Sequence, residues 1–268
     1  MLTRDDFAQR FGRRALFGMV HMKALPGAPL FEGSFDAVIE AAIADARALE
    51  AGGCDGVLFE NFGDRPFRKH VGPETIAAMT RVVTEVAREI SIPFGVNVLR
   101  NDARAALALA AATGAAFIRI NVHIGVMASD QGLIEGEAGD TLRHRAAFAP
   151  GVMIFADHLV KHATPIAEVD ELQMARDLRE RGLADAVIIS GRETGAPADV
   201  RRLAATRQAM DAPILVGSGL TGENAADYAG ADGAIVGTSV KREGQIEGPV
   251  DPMRVERIVR AFKQLVGR

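Results

Sequence analysis

Histidine, carboxylate, amide and guanidinium side chains recur in this chain at one kind of place, the carboxyl end of a short, β-branched apolar run. His21 follows Ala15-Leu-Phe-Gly-Met-Val20, and Glu60 and Asn61 close Val57-Leu-Phe-Glu-Asn61 with Asp64 just beyond. Asn97 stands in Phe94-Gly-Val-Asn-Val-Leu99, and Arg119, Asn121 and His123 end the run that begins at Phe117. Asp157 and His158 end Val152-Met-Ile-Phe-Ala-Asp-His158, with Lys161 and His162 following. A buried polar group without a partner costs roughly 1–3 kcal/mol, and a buried charge more, so polar groups on core strands need a reason. One reason is acid/base chemistry, with Asp157 or Glu60 as general base or acid and His21 or His162 relaying a proton. Asn61, Asn97, Arg119 and Asn121 would then orient hydroxyls or stabilise developing negative charge, and Lys161 would hold an anion or form a Schiff base. The plainer alternative is that Asn97, Arg119, Glu60 and Asp157 satisfy one another as an ion-pair and hydrogen-bond layer, and that Lys161 is a solvated loop charge. His70 and His144 lie away from strand ends and are expected at the surface.

A second kind of chemistry is written in the last third. Ala186-Val-Ile-Ile-Ser-Gly-Arg-Glu-Thr-Gly195, Pro213-Ile-Leu-Val-Gly-Ser-Gly-Leu-Thr221 and Gly233-Ala-Ile-Val-Gly-Thr-Ser-Val-Lys241 each run from a buried strand into a glycine and hydroxyl turn. Glycine brings backbone N–H groups close to a ligand, Ser and Thr add short donors, and a helix start beyond would add free N–H groups. Three such turns in succession read as a phosphate cradle made of Ser190, Gly191, Thr194, Gly195, Gly217, Ser218, Gly219, Gly237 and Thr238. Their spacing is neither a dinucleotide GxGxxG nor a Walker A loop.

These residues need a scaffold that gathers strand ends. The apolar runs alternate with helical patterns: a short helix over residues 5–12, then helices from Ser34 to about Leu49, Glu74 to Ile90, Asp102 to Thr113, one ending before Pro150, one ending near Gly182, Asp199 to Met210, a short one from Glu223 to Ala229, and a last one after Pro252. Lys23 to Gly33, with two prolines and two glycines, reads as a long loop, and His123 to Glu137 as a long connection. Eight β/α units without long antiparallel runs imply an α/β fold, and the late phosphate-type turns favour a single (β/α)8 TIM barrel over residues 1–268, with 1–14 as an N-terminal extension.

Composition sets the outer limits. With 48% hydrophobic and 25% charged residues the chain is of globular type, and a net charge of -4 with pI near 5.9 argues against nucleic-acid binding through a broad basic face. Cys54 is the single cysteine, so no intrachain disulfide forms and packing is its expected role. The apolar stretch 105–118 is too short to span a bilayer, and the first fourteen residues lack a signal-peptide core, so a cytoplasmic location is expected. Glu60, Asp157, His21 and His123 are metal-ligand types, but no close spacing such as His-Glu-x-x-His joins them; no cofactor is expected and no metal is assigned. The expected partner is a small phosphorylated ligand, and a homo-oligomer remains open.

The chain also resembles the BtpA/SgcQ family. The resemblance rests on Val20-His-Met-Lys-Ala-Leu-Pro-Gly-Ala-Pro29, Glu60-Asn-Phe-Gly-Asp64, Gly95-Val-Asn-Val-Leu-Arg-Asn-Asp102, Ser129-Asp-Gln-Gly-Leu-Ile-Glu-Gly136, Val160-Lys-His-Ala163 and Ser190-Gly-Arg-Glu-Thr-Gly195. It implies a TIM barrel of the phosphate-binding kind, and the last three turns are also similar to those of the tryptophan synthase α subunit. The family pattern sets the first histidine of the Asp157-His-Leu-Val-Lys-His162 stretch one place later, so the resemblance assigns His158 no role. It implies two functions: in phototrophs the namesake serves photosystem I biogenesis or stability as a peripheral membrane factor, whereas SgcQ-type members are described as nucleosidases or enzymes of sugar metabolism. The expectation is an enzyme on a phosphorylated sugar or a nucleoside- or nucleotide-type metabolite, a nucleosidase, lyase or isomerase. The alternative is a non-catalytic biogenesis factor, for which Arg10, Arg13 and Arg14 are the sequence hint of a docking patch.

Overall fold

The computed structural model describes residues 1–264, so the last four residues of the expected barrel domain lie outside the described residues. Eight parallel strands close into a barrel in the order β1 (Ala15–His21), β2 (Gly56–Glu60), β3 (Phe94–Asn97), β4 (Phe117–Ile120), β7 (Met153–His158), β9 (Ala186–Ile189), β10 (Ile214–Val216) and β11 (Gly233–Val236), which pairs back with β1. The helices are α1 (Arg4–Phe11), α2 (Phe35–Ala51), α3 (Pro73–Ala87), α4 (Ala103–Thr113), α5 (Ala138–Phe148), α6 (Glu171–Glu180), α7 (Val200–Ala209) and α8 (Pro252–Lys263). The expected (β/α)8 barrel is therefore the fold. Its helix starts are set locally, because the side chains of Thr3, Ser34, Asp102, Asp170, Asp199 and Asp251 each accept a hydrogen bond from a first-turn N–H.

Alternation along the strands divides two apolar layers. Val20, Val57, Phe59, Ile118, Ile154, Val187 and Val216 face outward against the helices, in one continuous core. Phe17, Leu58, Phe117, Phe155, Ile188, Leu215 and Ile235 face inward, and α1 lays Phe7 and Phe11 against them. The rings of Phe11, Phe17, Phe117 and Phe155 pack edge-on or stacked at 4.4–6.1 Å between centroids. Gly95 is part of this fit, since a Cβ there would stand 2.4 Å from the Phe117 ring. The N-terminal helix thus plugs the amino end of the barrel, leaving the carboxyl end for polar groups. Arg14 belongs to the same scaffold: its guanidinium is buried over the Phe262 ring and donates to the carbonyls of Phe262 and Ala229. Of the three arginines suggested as a docking patch, only Arg10 and Arg13 remain exposed.

One expectation gains detail and one fails. The long connection 123–137 carries secondary structure of its own: β5 (Val126–Ser129) and β6 (Gly132–Glu135) form an antiparallel hairpin, which β8 (Ala163–Pro165) extends to three strands. Four-residue strands are too short to show a period of two, and only the Ser129-Asp-Gln-Gly132 turn signals them. The phosphate-type turns also lead into no α-helix start. The segments Ala225–Tyr228 and Thr238–Val240 are short 3-10 turns, the former replacing the expected short α-helix, and α7 begins at Val200, well past the end of β9 at Ile189. Any anion there meets turn backbone rather than a helix dipole. No helix among the described residues is long and apolar enough to cross a membrane.

Candidate functional site

At the carboxyl end of the barrel, inward alternation presents His21, Glu60, Asn97, Arg119 and Asp157, with Asn121, Ser190, Gly217 and Gly237 one or two residues past the strands. They fall into two groups. Asp157 accepts from Arg119 Nε at 3.0 Å and from its terminal nitrogen at 2.9 Å, a bidentate pair, and also from Asn121 Nδ2 at 2.8 Å and Ser190 Oγ at 3.3 Å. Burial works against a charged guanidinium, yet the Asp157 carboxylate beside it holds Arg119 above its usual value. Every lone-pair direction of Asp157 is engaged, and its side chain is 0% exposed. Glu60 is held more lightly, by one hydrogen bond from Asn97 Nδ2 at 2.7 Å. His21 Nε2 lies 3.9 Å from Glu60 Oε1, beyond hydrogen-bond range, and His21 Nδ1 has no partner. Burial, then the positive charges of Lys241, Lys161 and Arg119, hold the His21 imidazole well below its usual value, so it is neutral near pH 7.

Two connected cavities open over these groups. The inner one, about 170 Å³, is lined by Gly195, Gly217, Ser218, Gly219, Gly237, Thr238 and Thr194, together with His21, Glu60, Arg119 and Lys161. Seven of the nine residues expected to form a phosphate cradle therefore surround one small space. The other two, Ser190 and Gly191, face a larger neighbouring cavity of about 1140 Å³. Ser218 ties the turns together, accepting from the Gly191 N–H at 2.7 Å and donating to the Ala196 carbonyl at 2.9 Å. At Gly219, φ is +69° and a Cβ would stand 2.4–2.5 Å from Ala196 and Pro197 backbone, so only glycine fits. The outer chamber, about 700 Å³, shares Glu60, Lys161, Thr194 and Thr238 with the inner one. Its remaining walls include Phe62, Arg65, Phe67, Leu99, Arg100, Asn121, Asp130, His162 and Glu193. Arg65 pairs with Glu247 and lies over Phe62.

Other expected residues fall elsewhere. Asn61 shares its face with outward-pointing Phe59; its side chain binds the Leu99 N–H at 2.7 Å and Asp64, and lines neither cavity. His123 turns to the Gly182 carbonyl at 2.7 Å and His158 faces the helices, its pKa pushed by burial down to about 4. The four residues of metal-ligand type are thus not gathered, and among the described residues no three His, Cys, Asp or Glu side chains form a group that could hold a metal ion. His162 Nε2 meets the Thr194 hydroxyl at 3.0 Å and accepts from the Thr194 N–H at 3.2 Å, which couples it to the cradle. His70 is exposed and His144 partly so. Buried Cys54, its thiol pushed by burial up to about 12, packs as expected. Sequence reasoning missed Phe62, Arg65, Phe67, Arg100 and Asp130. Their signal was adjacency to the chemical motifs, Glu60-Asn-Phe-Gly-Asp-Arg65 and Asn97-Val-Leu-Arg100, but what turns them inward is loop geometry.

The family model of the BtpA family matches residues 12–264. The chain belongs to the BtpA family. It is 45% identical to an uncharacterized protein of Thermococcus kodakarensis over 95% of this chain and 97% of that one. It is likewise 45% identical to the Photosystem I biogenesis protein BtpA of Synechocystis over 93% of this chain and 88% of that one. Among solved structures, (S)-3-O-geranylgeranylglyceryl phosphate synthase from Thermoplasma acidophilum, in complex with sn-glycerol-1-phosphate, superposes with a TM-score of 0.62, 16% identity, and coverage of 98% and 99%. N-(5'-phosphoribosyl)anthranilate isomerase from Pyrococcus furiosus gives 0.57 at 16% identity, with coverage of 94% and 99%. At such identity these two likenesses concern the fold, which this chain shares with TIM-barrel enzymes.

Proposed function

We propose that this BtpA family member is a cytoplasmic enzyme acting on a phosphorylated sugar or a nucleoside- or nucleotide-type metabolite by acid/base chemistry. The observation that carries the reading is the small inner cavity, walled by the glycine and hydroxyl turns and Arg119, which opens onto Glu60. A phosphate group fits such a wall because turn N–H groups and short hydroxyls can surround its oxygens while the Arg119 guanidinium lies in the same wall. The sn-glycerol-1-phosphate bound by the Thermoplasma synthase supports a phosphorylated ligand for this barrel type. Glu60 is the acid/base group, because it reaches both cavities and keeps free lone pairs, whereas Asp157 holds Arg119 in place. Neutral His21 and His162 stand on either side as proton relays, and Asn121 lines the outer chamber with its Nδ2 given to Asp157 and its Oδ1 unpartnered, an acceptor for a substrate hydroxyl. Asn97 orients Glu60. No metal or cofactor enters the scheme, and the chain's own residues supply each proton movement.

A thermal-shift series with inorganic phosphate, sugar phosphates and nucleotides tests the reading. A ligand at a hundred times its Kd adds about 2.7 kcal/mol, which raises the Tm of a chain this size by roughly 5–10 °C. No shift with any phosphorylated compound would sink it. In whichever turnover the series leads to, Glu60→Gln is expected to retain the fold and lower kcat by about 10²–10⁴. The second reading, a non-catalytic factor for a membrane complex such as photosystem I, draws on the name of the Synechocystis relative, a photosystem I biogenesis protein. It expects normal assembly from a Glu60→Gln chain.

A further inference from the structure

Lys161 differs from the chain's other four lysines. Lys241 and Lys263 are paired with Asp45 and Asp55, and Lys23 and Lys69 are exposed. Lys161 alone reaches the barrel mouth, where it lines both the inner cavity and the outer chamber beside Glu60. Among the described residues its amine has no hydrogen-bond or ion-pair partner. The backbone that presents it is constrained from several sides. Leu159 and His162 both take left-handed conformations, φ 54° and 57°, which cost non-glycine residues energy and persist only where the surroundings impose them. Arg100 donates to the Lys161 carbonyl at 2.7 Å, the His162 N–H donates to the Arg192 carbonyl at 3.1 Å, and Ala163 pairs with Ser129 of the three-stranded sheet. A solvated loop lysine needs none of these restraints.

We propose that Lys161 is a covalent catalyst that forms an imine with a carbonyl group of the ligand, so that the substrate class is a phosphorylated aldehyde or ketone, such as an open-chain sugar phosphate. The proposal rests on the phosphate-cradle reading above and deepens it. In the first step the neutral amine attacks the carbonyl carbon and the C=O π pair moves to oxygen. One amine proton passes to that oxygen, giving a carbinolamine. Protonation by the Glu60 carboxyl lets the hydroxyl leave as water, and the nitrogen lone pair closes the C=N bond of the iminium. The Glu60 carboxylate so formed can then take the proton on the carbon next to the iminium carbon; the C–H pair becomes the C=C bond and the C=N π pair moves to nitrogen, giving an enamine. Reprotonation and addition of water reverse the steps and free the amine. Phosphate in the inner cavity would place the carbonyl of a short chain beside Lys161, because the two compartments meet there. Burial first, then the positive charge of Arg119, lowers the Lys161 pKa from its usual value to about 8, while Glu60 and Asp157 act in the opposite sense. The free amine is the nucleophile, so reactivity rises with pH and levels off above about 8 rather than near 10.5.

The probe is pyridoxal 5'-phosphate, a compact aldehyde carrying a phosphate, trapped with sodium borohydride and mapped by peptide mass spectrometry. Expected is a reduced adduct on Lys161, at least tenfold weaker with unphosphorylated pyridoxal or with excess inorganic phosphate, absent in Lys161→Arg, and rising with pH to a midpoint near 8. Adducts confined to Lys23 and Lys69, equal labelling by pyridoxal and its phosphate, or a midpoint near 10.5 would overturn the proposal. The wild-type map decides this even if Lys161→Arg fails to fold. A thermal shift by inorganic phosphate measured alongside separates the two ideas. A shift without a Lys161 adduct overturns the imine and leaves the cradle standing, whereas neither shift nor adduct overturns both.

Discussion

The two arcs of the barrel mouth are built from opposite materials. Strands β9, β10 and β11 end in backbone: glycines, short hydroxyls, and turns packed so closely that a methyl group at Gly217 would meet Ile188 and Ser190 at 2.4 Å. Strands β1, β2, β3, β4 and β7 end in long polar side chains that bind one another, Arg119 to Asp157 and Asn97 to Glu60. A wall of backbone recognises a group by shape and is nearly insensitive to pH. A wall of charges must neutralise itself before it can act on anything else. The difference explains why the many polar strand ends are not equivalent: most of them fix the position of one neighbour, and few keep capacity for a ligand.

That contrast can be broken or sharpened at single residues. The largest effect is expected at Asp157→Asn, which leaves the Arg119 guanidinium buried without its counter-charge; loss of one partner of a buried pair costs about 3–5 kcal/mol. Chemical denaturation should show that loss. A variant of normal stability with abolished turnover would instead make Asp157 a reacting group. Gly217→Ala comes next, at about 1–3 kcal/mol for forcing a methyl group into filled space. It should also reduce the phosphate-induced thermal shift, and an unchanged shift would place the anion elsewhere. The smallest is Ser218→Ala, which removes one link between the turns after β9 and β10 and should lower stability by about 0.5–1.5 kcal/mol. If its phosphate response falls more than its stability, the hydroxyl contacts the ligand as well.

Much of this was legible beforehand, for reasons that can be stated residue by residue. Four-residue apolar runs such as Ala186–Ile189 mark strands buried on both faces, and Ser34, Asp102 and Asp199 mark helix starts because capping is a local hydrogen bond. Glycine turns at 217–219 and 237 marked a narrow space because a missing Cβ is itself a statement about room. The polar strand ends marked a mouth. What stayed hidden depended on partners distant in sequence. Asn61 looked like a substrate contact until strand alternation turned it toward Leu99, and the β5–β6 hairpin gained its third strand from residues 163–165.

The amino-acid sequence by itself determined the order of strands and helices, the (β/α)8 class and the presence of a phosphate-type set of turns, because each is encoded in spacing, capping and the absence of side chains over a few residues. Only the tertiary structure decided which polar groups are already spent. Arg119 and Asp157 lie 38 residues apart and meet only because β4 and β7 are adjacent in the closed barrel, and that meeting uses Asp157 in full and Arg119 in part. The same closure left the Glu60 carboxylate with one hydrogen bond and, among the described residues, the Lys161 amine with none, since a polar group is committed or available according to what packs beside it.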